Sequence, residues 1–495
     1  MQRIARPLAL VSLAAALVAT GCSDDDTGSD ATDTAVDTGS DAADTAVDTD
    51  AGTDVGDGDV DLDVAFDTDT TGAPVETSDL QIIAHPTNPL ARYVEWTTDR
   101  PAAGRLTVSC GDDLELDIET EAAEFRSVFV SGLYEGASCE LRVVTAADDG
   151  GRGEATATLD VPVGELGLPE NTLVAATDGA FEPGWTLFGL NNGFDGEPFV
   201  LAMVDEQGRF RWIHRVATAR FGTDNEVARL DDGILIAGTR REIQPRIIEW
   251  DGDVRWQEPV YMHHDARYLG DRLVYLVHED TCDWSEKGGS IHEWSFETGE
   301  VTWQFDLCEH VPPQEMFDWA HVNTVEPTPD GDYLLSVRNM HHVSYIDRDE
   351  RSVRWRMGYD GDFTLPEGQD WFLRQHAPEL QPNGNVLIFD NGFVDEGRTY
   401  SRAVEYAIDT DTMEAEVVWE YRHDPDIFSP IQGDADRLSG GTTLVTFSQR
   451  SRTEPTRLVE VDAEGTVVWQ LDIGLPWGIY RSDRIEAPPL IFAVE

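Results

Sequence analysis

From about residue 170 to the C-terminus one pattern recurs six times: a hydrophobic strand bearing an acidic residue, a turn that often carries Gly, and a Trp closing the next strand. The six tryptophans are Trp212, Trp256, Trp303, Trp355, Trp419 and Trp469, at successive spacings of 44, 47, 52, 64 and 50 residues. A unit of that length holds four short strands and cannot bury its apolar face alone, so the copies must stack on one another. Stacked around an axis they make a six-bladed β-propeller over residues 170–495. A linear solenoid is the alternative, but blades of this length with a closing Trp favour the ring.

Each unit after the first opens in the same way, with a polar residue or pair, an apolar strand start, a turn and a strand of the form Gly-x-x-Leu. The turns are Asp231-Asp232-Gly233, Gly270-Asp271, Asp330-Gly331-Asp332, Asn383-Gly384-Asn385 and Gly440-Gly441. Aligning them puts Asn225, His264, Asn323, His376 and the Gln432 to Asp434 segment at equivalent positions. Innermost strands line the channel of a propeller, so equivalent opening positions converge on one mouth of the axis. Of the twelve histidines, His264, His321 and His376 lie at or within two residues of that position. A lone His is usually structural, whereas placement related by the repeat points to a site. His85, His214, His278, His292, His310 and His423 lack that placement and read as structural, and His341 and His342 as part of a blade loop. Arg338, on the same blade as His321, offers a planar donor fork to an oxyanion such as sulfate or carboxylate; an ion pair with a local carboxylate is its competing role.

Residues 77–163 read as short alternating strands separated by Gly, Pro and Asp turns, among them Tyr93-Val94-Glu95-Trp96 and Glu140-Leu141-Arg142-Val143-Val144. That is a β-sandwich signature, and its pattern resembles a fibronectin type III or related immunoglobulin-like module. The expected fold class is therefore all-β, an N-terminal β-sandwich followed by a six-bladed β-propeller.

Residues 1–22 carry Arg3 and Arg6, an apolar run from Leu8 to Ala19, and Thr20-Gly21-Cys22. The run is too short to span a bilayer and reads as an export signal. It resembles a bacterial lipoprotein signal, in which Cys22 becomes the lipid-bearing first residue; simple secretion is the alternative. The protein is thus expected in the periplasm or at the outer membrane or cell surface, touching the membrane through Cys22. Residues 23–76 form an Asp/Thr/Ala-rich tract, with seventeen aspartates and no basic residue up to Val75, a composition that cannot fold alone and makes an extended tether. Removing Cys22 leaves Cys110, Cys139, Cys282 and Cys308, an even number in an exported chain. Disulfides Cys110–Cys139 and Cys282–Cys308 each keep both partners inside one expected domain; no Cys-x-x-Cys spacing suggests zinc. With 96 acidic against 35 basic side chains, the net charge of −61 excludes nucleic acid as a partner, since phosphate backbones are held by clustered Lys and Arg.

Five segments share an order and approximate spacing with a known family: Asp318-Trp319-Ala320-His321-Val322-Asn323, Ser336-Val337-Arg338-Asn339, Gln375-His376, Phe389-Asp390-Asn391-Gly392 and Ser401-Arg402. Through them the chain resembles the bacterial arylsulfate sulfotransferases, six-bladed periplasmic propellers with a small N-terminal β-domain. The resemblance implies transfer of a sulfuryl group from a small phenolic sulfate donor to a phenolic acceptor through a sulfated histidine, with ping-pong kinetics and no cofactor or metal. It also implies that His376 is the nucleophile and that His321, Asn323 and Arg338 bind and polarise the sulfuryl oxygens. A further family histidine falls on the His263-His264 pair, which the sequence does not resolve; the repeat alignment favours His264. The alternative is a non-catalytic surface lipoprotein whose propeller binds a small anion or glycan. A quinone-dependent dehydrogenase would need a quinone pocket with calcium ligands, which these residues do not assemble.

Overall fold

The computed structural model describes residues 72–191, 199–216, 225–230, 233–238, 245–258, 260, 262–277, 289–312, 318–449 and 453–494, all within one compact unit, Asp61–Glu495. Residues 1–71, with the expected export signal, Cys22 and most of the Asp-rich tract, and Cys282 lie outside the described residues. Among the described residues the regular structure is β-strand, apart from three short 3-10 turns, at Leu307–Glu309, Arg338–Met340 and Val394–Glu396.

Among the described residues six antiparallel sheets follow one another in chain order, each with four strands side by side and the last with a fifth on its outer edge. We number them as blades 1 to 6. Their innermost strands are Gly478–Ile485, Asn225–Leu230, Ala266–Tyr268, Val322–Pro327, His376–Leu380 and Asp434–Arg437. Each innermost strand touches those of the two neighbouring blades, and Gly478–Ile485 touches both Asp434–Arg437 and Asn225–Leu230, so the ring closes. The turns after these strands reverse direction at residues with positive φ: Gly331 and Gly384 sit at 88° and 87°, a backbone conformation that a Cβ disfavours.

The ring is sealed at two places by the ends of the propeller segment. Gly478–Ile485 pairs with Trp185–Asn191 and so becomes the inner strand of blade 1, while Thr172–Ala176 pairs with Val467–Ile473 on the outer edge of blade 6. Blade 1 thus has no opening turn of its own, which is why the repeat shows that feature only from the second unit onward.

The recurring Trp sits in the strand outside the three inner ones, and its job is visible from its indole N–H. Trp212 donates to the carbonyl oxygen of Trp250 at 3.0 Å, Trp303 to Arg348 at 2.9 Å, Trp419 to Ala463 at 3.0 Å and Trp469 to Glu206 at 2.8 Å. Every acceptor lies in the outer hairpin turn of the next blade, and the last bond runs from blade 6 back to blade 1. A large ring and, in these four blades, one directed donor make the contact both apolar and specific.

The N-terminal unit is built from Thr77–Ala84, Arg92–Ser109, Glu115–Val130, Ser138–Ala146 and Arg152–Asp160, with Ile491–Val494 as a sixth strand paired to Ser127–Val130. Arg92–Ser109 shifts register between Thr97 and Gly104, pairing Thr77–Ala84 before the break and Ser138–Ala146 after it. Such a bulge bends the strand, and Trp96, Leu106, Val108, Val128, Leu141 and Val143 pack in the core that results. This strand order differs from that of a self-contained fibronectin-like module, because one member comes from the far end of the chain. The propeller accordingly ends at Ile485 and not at residue 495. Pro488-Pro489 breaks the strand, and Phe492 then packs on Phe129 with ring centroids 4.8 Å apart.

Cys110 and Cys139 are disulfide-bonded, with an S–S distance of 1.99 Å. Cys308 is also in a disulfide. The buried Arg211 of blade 1 ties the two units together, donating to the Gly132 carbonyl at 2.6 Å and to Asp205 at 2.8 Å.

Candidate active site

The innermost strands do not start as regular strands. His264, His321, Ala377 and Gln432 all take positive φ, at 61°, 44°, 47° and 61°, in four consecutive blades. Non-glycine residues adopt that region at a cost, and its recurrence at one level of the axis is a built feature. The register breaks there too, at Val322/Thr324 and at His376/Glu379. A bulge re-aims the side chains beside it, and here it gathers the histidines at one place.

His264 and His321 meet through their Nε2 atoms at 3.1 Å, and His321 Nδ1 lies 2.5 Å from Asp318 Oδ2. A carboxylate only accepts, so His321 Nδ1 carries a hydrogen and its Nε2 accepts from His264 Nε2–H when both rings are neutral. One proton therefore sits between the two rings, with Asp318 holding the pair in register. His263 packs edge-on against both rings and points its backbone N–H to the Leu276 carbonyl, so the direct bond to His321 belongs to His264.

His376 is 2% exposed. Its Nδ1 lies 2.7 Å from Asn391 Oδ1, and Asn391 Nδ2 donates to the carbonyl oxygens of Ser429 and Gln432, each at 2.7 Å. Both amide hydrogens of Asn391 are thereby engaged and its oxygen must face the ring. His376 Nδ1 is then the protonated nitrogen and Nε2 carries the lone pair. Burial, and after it the charge of Arg338, hold the imidazole pKa well below its usual value, so the ring is neutral at pH 7.

Tyr480, from the closing strand, stands between the two histidine groups. Its ring stacks on His264 at 6.0 Å and meets His376 edge-on at 5.9 Å. Arg481 next to it donates to Thr324 Oγ1 at 2.8 Å and to Asp265 at 3.2 Å. Asn323 is fully buried and donates from Nδ2 to the Gln375 carbonyl at 2.8 Å, tying blade 4 to the strand start that carries His376. Arg338 donates to Asn339 Oδ1 at 3.0 Å and to the Pro430 carbonyl at 3.1 Å. Sequence reasoning missed Asp318, Asn391 and Tyr480 as members. Asp318 and Asn391 lie inside segments singled out above, three residues before His321 and one after the strand end Asp390, whereas Tyr480 belongs to a strand with no repeat signature.

Further along the axis lies a layer of carboxylates. Glu326, Glu379, Asp434, Asp436 and Asp483, with Arg267 and Arg481, line a cavity of about 180 Å³. Burial, then the charges of Asp434, Asp483 and Glu379, push the Asp436 carboxyl well above its usual range. An acid whose folded pKa is raised contributes its full stability below the unfolded pKa and loses it as pH climbs through the folded one. Asp436→Asn is therefore expected to raise stability at pH 8 by roughly 1–3 kcal/mol and to change it little at pH 4. Thermal melts at the two pH values check this, and an equal shift at both would contradict it.

A sequence profile described as Arylsulfotransferase (ASST) matches residues 171–481. The chain is 25% identical over 168 residues to a protein named arylsulfate sulfotransferase AssT from Escherichia coli O6:H1, a match covering 26% of this chain and 27% of that protein. The chain thus spans about a quarter of that relative's length. Among solved structures it is similar to a protein of unknown function from Bacteroides caccae, at a TM-score of 0.42 and 16% identity, over 61% of this chain and 98% of that one. It is also similar to virginiamycin B lyase from Staphylococcus aureus, at a TM-score of 0.33 and 9% identity, over 81% and 99% of the two chains.

Proposed function

Because the chain belongs to the arylsulfotransferase (ASST) family, we propose that it moves a sulfuryl group from a phenolic sulfate ester to a phenolic acceptor, with His376 as the nucleophile. The observation that carries this reading is the Asn391 clamp on His376 Nδ1, which leaves Nε2 as a lone pair on a buried, neutral ring.

In the first half-reaction the Nε2 pair attacks sulfur, an N–S bond forms, and the S–O bond to the aryl group breaks with its electron pair leaving on the phenoxide. The phenoxide takes a proton from the His264–His321 pair, which enters this step with one ring as imidazolium and leaves it with both rings neutral. The imidazolium that results keeps its Nδ1–H on Asn391 Oδ1. Arg338 lies close enough to depress the His376 pKa electrostatically, and its guanidinium is the cation to hold the sulfuryl oxygens as charge redistributes over them. In the second half-reaction an acceptor phenol returns a proton to the His264–His321 pair. Its oxygen attacks sulfur, and the N–S bond breaks to restore the Nε2 pair. Protons and charges balance over the cycle, and only side chains of this chain take part.

The test is p-nitrophenol release from p-nitrophenyl sulfate with and without phenol. Phenol-stimulated release, parallel double-reciprocal lines and a mass gain of one SO3 on the peptide carrying His376 are expected. No release across a range of phenolic sulfates, from folded protein, returns the propeller to a role in binding small anions.

The proposal extends to location. We propose that Cys22 carries a lipid that holds the protein on a membrane, with the acidic tract as spacer; the lipoprotein-like export signal supports this reading, and Cys22→Ser is expected to move the protein into the soluble fraction.

A further inference from the structure

Tyr480 and Arg481 both reach the axis because the closing strand bulges at this point. Ile479 pairs with Leu190 and Ser482 with Phe188, so two residues stand opposite Gly189 alone. A bulge re-aims the side chains it carries, and here it sends two consecutive ones toward the histidines. The Tyr480 carbonyl accepts the Gly433 N–H at 3.1 Å, which ties the bulge to blade 6. The Tyr480 hydroxyl donates to the Asn323 carbonyl of blade 4 at 3.3 Å.

Arg481 is 8% exposed and divides its fork between two blades. Nη1 donates to Asp265 Oδ1 at 3.2 Å and Nη2 to Thr324 Oγ1 at 2.8 Å. Asp265 follows His264 in the chain, and its second oxygen accepts the Val325 N–H of blade 4 at 2.7 Å. Thr324 Oγ1 accepts in turn the N–H of Ala377, the residue after His376, at 3.1 Å. Ala377 lies in the register break between His376 and Glu379, where a side chain must stand in for the ladder, because a buried N–H without an acceptor costs about as much as a lost hydrogen bond. One guanidinium thus holds the residue beside His264 and, through one hydroxyl, the residue beside His376.

We propose that Arg481 is a positioning residue for sulfuryl transfer, which fixes the separation between the His264–His321 proton donor and the His376 nucleophile so that both reach one sulfate ester. This rests on the sulfuryl-transfer reading above. His376 Nε2 must face sulfur while the pair faces the departing oxygen, and a misplacement of about 1 Å between such groups costs on the order of 100-fold in rate. Asp318 orients His321 and Asn391 orients His376, each within its own group, whereas Arg481 spans the two.

The readout is how the loss depends on the leaving phenol. p-Nitrophenoxide departs with little help, whereas the more basic phenoxide needs the proton. Arg481→Gln is expected to lower kcat/KM about 10-fold for p-nitrophenyl sulfate and about 1,000-fold for phenyl sulfate. A residue that only held the fold together would lower both alike through the folded fraction, so equal losses, or none, overturn the proposal. Arg481→Lys keeps the charge without the two-armed fork and is expected to recover only part of the phenyl sulfate rate; full recovery would make Arg481 a charge and not a brace, and overturn the proposal. Asp265→Asn has one acceptor oxygen where the carboxylate has two, so it releases either Arg481 or the Val325 N–H. It keeps the shape of the site, is expected to show the same dependence in weaker form, and decides the matter if Arg481→Gln does not fold. If the unaltered protein turns over no sulfate ester, the sulfuryl-transfer reading falls, and nitrogen-15 spectra of the histidine rings still test the brace without turnover. Shifted ring-nitrogen signals of His264 and His321 in either variant support it, and signals identical to the parent's overturn it.

Discussion

His376→Ala is expected to lower p-nitrophenol release by about four to six orders of magnitude while leaving the melting transition near that of the parent. In the proposed mechanism this removes the nucleophile and with it the covalent route, and what remains is the binding and charge stabilisation of the rest of the pocket. A smaller loss, about 100-fold, is expected for Asn391→Leu. The leucine has nearly the shape of asparagine but does not accept from Nδ1, so the ring loses the bond that selects its tautomer and steadies the imidazolium. The Ser429 and Gln432 carbonyls lose their donor as well, so this variant is also expected to melt at a lower temperature. The two variants separate chemistry from positioning. Full activity in His376→Ala would place the nucleophile elsewhere, and Asn391→Leu as active as the parent would mean that the ring needs no orienting partner.

A chain cut after Trp477 is expected to lose cooperative unfolding and to aggregate. The cut removes Ile479, Tyr480 and Ile485, all buried, and at about 1.5–3 kcal/mol for each large apolar side chain their burial alone approaches the 5–15 kcal/mol that holds a typical domain together. It also strips Trp185–Asn191 of its inner partner, opening a strand edge at the centre of the molecule. The buried Arg484–Glu460 pair, 2.7 Å apart, disappears with it and strands a carboxylate inside blade 6. Circular dichroism and a denaturant melt on the shortened chain decide the matter, and a sharp two-state transition would show that the ring closes without its last strand.

The propeller could be read from the sequence because one residue type recurs at one place in every copy, the fourth strand of each blade. In four of the six blades its indole reaches the turn of the next blade, and the interval between tryptophans counts blades. The histidines followed, since alignment on the Gly turns carries them to a common level. What stayed hidden depends on contacts between distant segments. Asn391 acts on His376 from the far end of the neighbouring strand, and nothing in its local pattern distinguishes it from a strand-terminal asparagine. Tyr480 and Arg481 lie on Gly478–Ile485, where Arg481, Ser482, Asp483 and Arg484 interrupt the apolar pattern because the strand lines a polar channel. The same holds for Ile491–Val494, four residues whose partner strand lies in the N-terminal sheet.

That closing strand also sets a rule for the growing chain. Ribosomes release the N-terminus first, so His264, His321 and His376 all exist on a nascent polypeptide well before Tyr480 does. Until the last stretch arrives there is no ring to hold His264 and His376 on either side of one tyrosine, and no Arg481 to brace Thr324. A polypeptide that stops short of Gly478–Ile485 in consequence carries the histidines without Tyr480 and Arg481 beside them.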